Sequence, residues 1–380
     1  MVSLAVIISL AALSLIALTY VVYPVWQLIF PGKPMDFTGE FTPPLVSVVF
    51  AAYNESSIIE AKIRSIYNTN YPIDKLSVWI GSDLSNDGTD EIIRNLQSEF
   101  PQLNLHVNDV RSGKSATINS LIEQTTAEVI IATDANILFK ETTIEELVRP
   151  IALQKATAVA GTLAYEAGGV INSTATNEKV YLSLENAIRR AESRKHGICF
   201  GMEGGLYSMR KSFWKPIPPN TFMEDFFQTV QLIALDQKVL FNEAAIGLED
   251  VSTSLREEYK RKIRISIGNW QNLIRFYPLL FKHPYPFGIL FLMHKVLRWL
   301  TPHLYLIALI AGLFTSQWLI ISIVLIGLPV SQFILMSFGL ATPLAYFYVM
   351  NTALFVGFLR YLKGVKSSVW QPTKRNQHES

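Results

Sequence analysis

A chain of 380 residues is long enough for one large domain or two smaller ones. Half of its residues are apolar and only 17% are charged, a composition typical of a membrane protein with a polar catalytic part rather than of a soluble enzyme. The net charge of +2 gives no argument for nucleic-acid binding, which needs a concentrated basic face, and the single cysteine excludes a disulfide framework or a thiolate metal cluster.

The chain begins with an apolar run. Residues 1–30 carry no charged side chain, and about 20 such residues span a bilayer. A secretory signal would have a basic start, a shorter apolar core and a small-residue cleavage site, so an uncleaved transmembrane anchor is the better interpretation. Prolines at four positions between residues 31 and 44 then indicate a linker.

The next part of the chain alternates between short apolar runs and segments with helical spacing. The predicted strands are 45–52, 76–81, 103–107, 128–133, 156–163 and 239–244. The predicted helices are 56–67, 90–100, 115–125, 142–154, 177–195 and 226–235. This alternation predicts an α/β domain over residues 45–260, with a mostly parallel sheet and right-handed crossovers.

A basic amphipathic segment follows the α/β domain. Apolar residues recur at helical spacing from Ile263 to Tyr277, with arginines and a lysine among them. A helix of this kind usually lies in the membrane interface, and we assign residues 261–298 to it. A surface helix packed on the sheet is the alternative.

Residues 299–362 are apolar again and contain three runs that approach spanning length, 300–314, 318–336 and 344–362. Basic residues precede the first run and follow the last, so both ends and the tail, residues 363–380, are expected in the cytosol. Three crossings cannot join two cytosolic ends, and the number of crossings stays open. The prediction is a multi-pass membrane protein with a cytosolic catalytic domain.

Four acidic residues are the candidates for the functional site. Asp83 and Asp134 each follow a predicted strand, and Glu224 and Asp225 precede a predicted helix. The carboxyl ends of parallel strands form the ligand-binding edge of an open α/β sheet, so these carboxylates predict a cleft there. The alternatives are local: Asp134 as a turn cap, and Glu224 with Asp225 as a pair favoured by the helix dipole.

The pair Asp134 and Asn136 is the candidate metal site. Two oxygen-bearing side chains two residues apart at a strand end can reach one hard divalent cation, Mg²⁺ or Mn²⁺. Such a cation neutralises the charge of a leaving diphosphate. Asn136 supplies a neutral oxygen, which weakens metal binding relative to a second aspartate.

One competing motif is excluded. Residues 111–115 read Arg-Ser-Gly-Lys-Ser, but a phosphate-binding P-loop requires glycine five positions before Gly113, where Asn108 stands.

Taken together, the segments 50–55, 82–83 and 134–136 give the chain a specific resemblance. It resembles family 2 inverting glycosyltransferases of the Rossmann-like GT-A fold, the group that contains the synthases of cellulose, hyaluronan and poly-N-acetylglucosamine. The resemblance covers residues 45–280 and extends into the C-terminal apolar helices and residues 370–375.

The resemblance implies a UDP-sugar donor and assigns residues to it. Asp83 would hydrogen-bond the uracil ring, and Lys114 would lie near the base and diphosphate, above Asn119. The other residues implied on the donor side are Ala51, Tyr53, Glu55 and Arg261. Arg264 is implied as a catalytic residue, whose charge would grip the diphosphate.

The resemblance also implies the catalytic and acceptor residues. Asp225, paired with Glu224, would take the proton of the acceptor hydroxyl, with inversion at the sugar carbon. The acceptor side would include Gly201, Glu203, Gly204, Gly205 and Trp270. Processive synthases carry Gln-x-x-Arg-Trp, whereas residues 261–265 end in Ile265, which weakens the case for polymer synthesis unless Trp270 compensates.

The leading hypothesis is transfer of a sugar from a UDP-sugar to a glycan or lipid-linked acceptor in polysaccharide or glycoconjugate synthesis. A second is a lipid glycosyltransferase acting on a polyprenyl phosphate or a sphingolipid. A third is a membrane protein that binds a nucleotide sugar without catalysis. The expected partners are donor, acceptor and membrane lipid, with no nucleic acid.

Overall fold

A computed structural model describes residues 4–165, 173–202, 205–249, 255–316, 321–337 and 342–364. The chain divides into two compact units. The first contains Met1–Phe30, Val170–Ile188 and Ser254–Gly364, and the second contains Pro31–Gly169 and Arg189–Thr253. The boundaries predicted for the domains stay a prediction.

The second unit is built on a sheet of eight strands. The strands are β1 (Val46–Ala52), β2 (Leu76–Ser82), β3 (Leu103–Val107), β4 (Val129–Thr133), β5 (Leu138–Phe139), β6 (Ala158–Tyr165), β7 (Leu206–Arg210) and β8 (Val239–Glu249). Its helices are α2 (Ile59–Tyr67), α3 (Thr89–Leu96), α4 (Lys114–Gln124), α5 (Thr143–Ala152) and α7 (Glu224–Ala234). Helix α6 (Ser173–His196) has residues in both units.

The strand order is β3-β2-β1-β4-β7-β6-β8-β5. Strands β3, β2, β1 and β4 are parallel, while β7 runs antiparallel to both β4 and β6. All seven residues of β1 are buried, as expected for a parallel strand covered on both faces. The predicted fold class, an α/β domain with a mostly parallel sheet, is confirmed.

All six predicted strands are present, and two further strands were not predicted. Strand β5 has only two residues, too few to show any period, and it pairs with β8. Strand β7 follows the glycine-rich segment, residues 201–205, which hid its strand pattern. It is defined by its antiparallel partners on either side. Short or interrupted strands of this kind depend on pairing rather than on local sequence.

The first unit is helical. Besides part of α6, it contains α1 (Leu4–Ile29), α8 (Leu255–Lys282), α9 (Pro284–Leu313), α10 (Ile323–Met336) and α11 (Pro343–Leu362). Among the described residues, α1 and α9 are long and apolar enough to cross a membrane, by length and composition. The predicted tail segment 370–375 and part of the predicted run 318–336 lie outside the described residues.

Small and polar residues let the helices of the first unit approach closely. The Ser9 hydroxyl of α1 donates a hydrogen bond to the Ala308 carbonyl of α9 at 3.0 Å. Between α8 and α11, the Ser266 hydroxyl donates to the Leu354 carbonyl at 2.7 Å, and a Cβ added to Gly357 would lie 2.3 Å from the Ser266 Cβ. Contacts of this kind are typical of helices that associate in an apolar environment.

Candidate active site

The site lies where three parallel strands end. Strand β1 ends at Ala52, β2 at Ser82 and β4 at Thr133, and these strands are neighbours in the sheet. The residues that follow β2 and β4 are Asp83 and Asp134, so the strand register alone brings the two carboxylates to one edge. This is the edge at which open α/β sheets bind ligands.

Asp83 is fully buried and holds the loop that leads into α4. Its carboxylate accepts hydrogen bonds from Ser112 N at 2.7 Å, Asn108 Nδ2 at 2.9 Å, Arg111 Nε at 3.1 Å and Gly113 N. A nucleotide base would therefore have to replace one of these donors or use a remaining lone pair. The role predicted for Asp83 at the uracil ring stays a prediction.

The loop after β1 is tied to the loop after β2. Glu55 N donates to the Thr89 hydroxyl at 2.9 Å, and the guanidinium carbon of Arg111 lies 3.3 Å from the ring centroid of Tyr53. The Tyr53 ring is therefore stacked on the guanidinium of Arg111, which also donates to Asp83. Ala51, inside β1, is opposite Gly81 of β2 in the register.

Lys114 joins two of the predicted carboxylates. Its Nζ lies 2.6 Å from Asp134 Oδ1 and 2.5 Å from Glu224 Oε1. Burial by itself would lower the pKa of this lysine, but the charges of Asp134 and Glu224 raise it above its ordinary value. Lys114 is therefore a cation held between the strand end and the first turn of α7.

Asp225 is buried next to this ion-pair cluster, with 6% of its surface exposed. Burial and the adjacent charge of Glu224 raise the pKa of its carboxyl to about 7, against an opposing effect of Lys114. A carboxyl with this pKa can accept a proton near neutral pH and release it again, as a general base must.

The turn before Asp225 has a strained backbone. Met223 precedes α7 with a φ of 57°, in the left-handed region that non-glycine residues rarely adopt. The Ser115 hydroxyl of α4 donates to the Thr221 carbonyl at 3.0 Å and helps to hold this turn. Such strain often occurs at functional sites, where the surrounding contacts enforce it.

Tyr207 is a site residue that the sequence pattern did not reveal. It lies on β7 opposite Ala132, is buried, and is close enough to the cluster for Glu224, Asp225 and Asp134 to influence its titration. Burial raises its pKa well above the ordinary value, so it remains a neutral phenol. Recognising β7 as a strand would have placed it at the site.

The side chain of Asn119 is hydrogen-bonded to the backbone of Ile217. Its side-chain amide donates to the Ile217 carbonyl at 2.9 Å and accepts from Ile217 N at 3.0 Å. It therefore ties α4 to the segment before the turn at Met223. The position predicted for it beneath the donor stays a prediction.

Asp134 and Asn136 fit a hard cation that is bound together with a diphosphate. The Asp134 side chain is 39% exposed, and the Asn136 Nδ2 is buried without a hydrogen-bond partner. In the described part of the chain no group of three or more His, Cys, Asp or Glu could hold a metal ion. One carboxylate and one amide leave most of the coordination shell to diphosphate oxygens and water, as is usual for Mg²⁺.

The glycine-rich segment lies against the end of β4. The Gly205 carbonyl accepts from the Thr133 hydroxyl at 2.7 Å, and a Cβ on Gly205 would lie only 3.2 Å from side-chain atoms of Ile137 and Leu163. Gly201 has a φ of +92°, which favours glycine. The predicted acceptor residues Glu203 and Gly204 lie outside the described residues.

The remaining predicted residues lie on α8 in the first unit. The Arg261 Nε is 3.0 Å from Glu258 Oε2, and Trp270 packs on Phe358 and His303 with ring centroids 4.6 and 5.4 Å apart. The roles predicted for Arg261, Arg264 and Trp270 at the donor and acceptor stay predictions.

Comparison with protein families gives a match to the part of the chain that carries the strand ends of the site. The glycosyl transferase family 2 model matches residues 47–215. Within these residues the chain is similar to a family 2 glycosyltransferase domain. The match includes β1, β2, β4, Asp83, Lys114 and Asp134, so the predicted enzyme class, a glycosyltransferase, is confirmed.

Curated relatives agree with this family. The chain is 31% identical over 109 residues to beta-monoglucosyldiacylglycerol synthase of Trichormus variabilis, covering 28% of this chain and 23% of that protein. It is 24% identical over 241 residues to poly-beta-1,6-N-acetyl-D-glucosamine synthase of Staphylococcus epidermidis, covering 61% and 57%. The matches thus span little more than half the length of these relatives at most.

A solved structure resembles nearly the whole chain. The mannosyltransferase PcManGT from Pyrobaculum calidifontis, in complex with GDP-Man and Mn²⁺, superposes with a TM-score of 0.70 at 21% identity. The match covers 93% of this chain and 99% of that one. It confirms the predicted GT-A fold.

Proposed function

We propose that the protein is an inverting glycosyltransferase that moves a sugar from a UDP-sugar to a hydroxyl group of a glycan or lipid-linked acceptor. One observation carries the proposal. Lys114 joins Asp134 and Glu224 at the carboxyl edge of the sheet, beside a buried Asp225 whose pKa is raised to about 7. The arrangement combines a cation for a leaving diphosphate with a base for an acceptor hydroxyl.

In the proposed reaction Asp225 accepts the proton of the acceptor hydroxyl as that oxygen attacks the anomeric carbon of the sugar. The bond from this carbon to the diphosphate breaks, and Lys114 stabilises the negative charge that develops on the leaving group. A divalent cation held by Asp134 and Asn136 would neutralise further charge on the diphosphate. Attack from the side opposite the leaving group inverts the configuration.

We place the catalytic domain on the cytosolic face of a membrane. Support comes from α1 and α9, which are long and apolar enough to span a bilayer, and from the basic residues that border the apolar runs. Protease access to residues 45–280 only from outside intact cells would contradict this orientation.

A lipid acceptor is the second candidate. One relative is named as a synthase of monoglucosyldiacylglycerol, and α8 exposes large apolar side chains beside its basic residues. Ile274 is 55% exposed, Tyr277 51% and Phe281 79%, which is typical of a helix that contacts lipid. The acceptor would then be a lipid of the membrane that α8 contacts.

A transfer assay tests the proposal. Membranes containing the protein are incubated with radiolabelled UDP-glucose, UDP-N-acetylglucosamine or GDP-mannose and with Mg²⁺ or Mn²⁺. Label in an insoluble polymer or a soluble glycan would support the first candidate, and label in the organic extract would support the second. Transfer only from GDP-mannose would contradict the UDP-sugar assignment, and no transfer at all would favour a binding protein without catalysis.

The raised pKa of Asp225 predicts how the rate depends on pH. The base works only when deprotonated, so the rate at saturating donor should fall about tenfold per pH unit below about pH 7 and level off above it. The measurement is kcat between about pH 5 and pH 9. A rate that stays level down to about pH 5 would exclude Asp225 as a base with this pKa.

A further inference from the structure

Lys62, on α2, is a buried lysine without a carboxylate in hydrogen-bond distance among the described residues. Its side chain is completely inaccessible to solvent. Its Nζ donates to the Thr133 hydroxyl at 3.1 Å and to the Ile137 carbonyl, and it lies 3.8 Å from the ring centroid of Phe139. Removing an amine from water costs free energy, so a buried lysine is unusual unless it has a specific role.

The two acceptors of Lys62 flank the candidate metal motif. Thr133 precedes Asp134, and Ile137 follows Asn136. The segment is closed further by a hydrogen bond from Ile137 N to the Asp134 carbonyl at 3.2 Å. Lys62 therefore holds both ends of the short turn that carries the two candidate cation ligands.

The same contact reaches the glycine-rich segment. The Thr133 hydroxyl that accepts from Lys62 donates to the Gly205 carbonyl at 2.7 Å. This short chain of hydrogen bonds connects α2, the end of β4 and the start of β7. A shift of Lys62 would therefore displace both the turn at residues 133–137 and the Gly205 carbonyl.

The contribution of Lys62 to folding stability does not explain why a lysine is buried at this position. Two hydrogen bonds to neutral acceptors contribute little net free energy, and a buried charged or polar group can often be replaced by an apolar side chain of similar size without loss. The hydrogen bonds are also independent of charge, because a neutral amine keeps two N–H donors.

We propose that Lys62 is a positioning residue, which fixes residues 133–137 in the conformation that lets Asp134 and Asn136 bind the diphosphate of the donor with its cation. The proposal rests on the function proposed above. Lys62 touches neither donor nor acceptor and acts through the backbone of the turn and through Thr133.

The test compares UDP binding with and without Mn²⁺ by calorimetry in the full-length protein. We expect Lys62→Met to melt at the same or a higher temperature than the wild type, yet to bind UDP in the presence of Mn²⁺ at least roughly tenfold more weakly. Lys62→Arg, which keeps N–H donors but not their positions, should recover only part of the affinity.

Two further variants make the result decisive. Lys211→Met also removes a lysine bonded to a backbone carbonyl, that of Thr125 before β4, far from the strand ends of the site, and should bind UDP like the wild type. Thr133→Val removes only the shared hydroxyl and should weaken binding in the way Lys62→Met does. If Lys62→Met fails to fold, Thr133→Val still tests the positioning role.

If the wild type binds UDP and either Lys62→Met or Thr133→Val binds it with the same affinity, the positioning role alone would be overturned. A folded wild type that binds no UDP at all would overturn the proposed function, and the positioning role with it.

Discussion

Asp225→Asn is expected to bind the donor with near-normal affinity and to transfer its sugar at least roughly 100-fold more slowly. Asparagine keeps the size and most of the hydrogen bonding of aspartate but cannot accept a proton near neutral pH. A loss of about 100-fold corresponds to about 2.7 kcal/mol in the activation barrier. Donor binding should survive because the residues proposed for it, among them Lys114 and Asp134, are unchanged.

The measurement is a single-turnover transfer rate together with the affinity for UDP. Asp236→Asn is a matched control, since Asp236 is exposed beyond the other end of α7 and has a φ of 54°, which asparagine tolerates. It should leave both quantities unchanged. A normal rate for Asp225→Asn would remove this carboxylate from the mechanism, and an equal loss of UDP binding would instead make it a structural residue.

Asp134→Ala is expected to reduce transfer by about 10²–10³ and to abolish the response of the enzyme to added Mg²⁺ or Mn²⁺. The alanine removes the one carboxylate of the candidate cation site and one of the two partners of Lys114. Asn136→Asp should have the opposite effect on the cation and lower the concentration needed for half-maximal activity, because a charged oxygen replaces a neutral one.

Cation titrations of the transfer rate, after treatment with a chelator, measure both effects. Asp74→Ala, in the short turn before β2 rather than at a strand end of the site, is the matched control and should titrate like the wild type. If Asp134→Ala in the presence of chelator transferred as fast as the wild type does with cation, the metal role of Asp134 would be excluded.

The central strands could be predicted from sequence because each appears as a run of neighbouring apolar residues. Strand β1 is covered on both faces and therefore appears as an apolar run, interrupted only by Ser47 and bounded by prolines and by Asn54. The two missed strands, β5 and β7, exist because distant partners pair with them. Leu138 pairs with Leu248, and Tyr207 pairs with both Ala132 and Ala160.

The sequence by itself determined the α/β alternation, the apolar helices and the acidic residues at the strand ends, since each is a pattern of neighbouring residues. Only the tertiary structure decided that Lys114 would join Asp134 to Glu224, that Asp225 would be buried, and that Lys62 would donate to Thr133 at the end of β4. These residues are far apart in the chain. Burial and Coulomb interactions depend on distances in space, which local patterns do not contain.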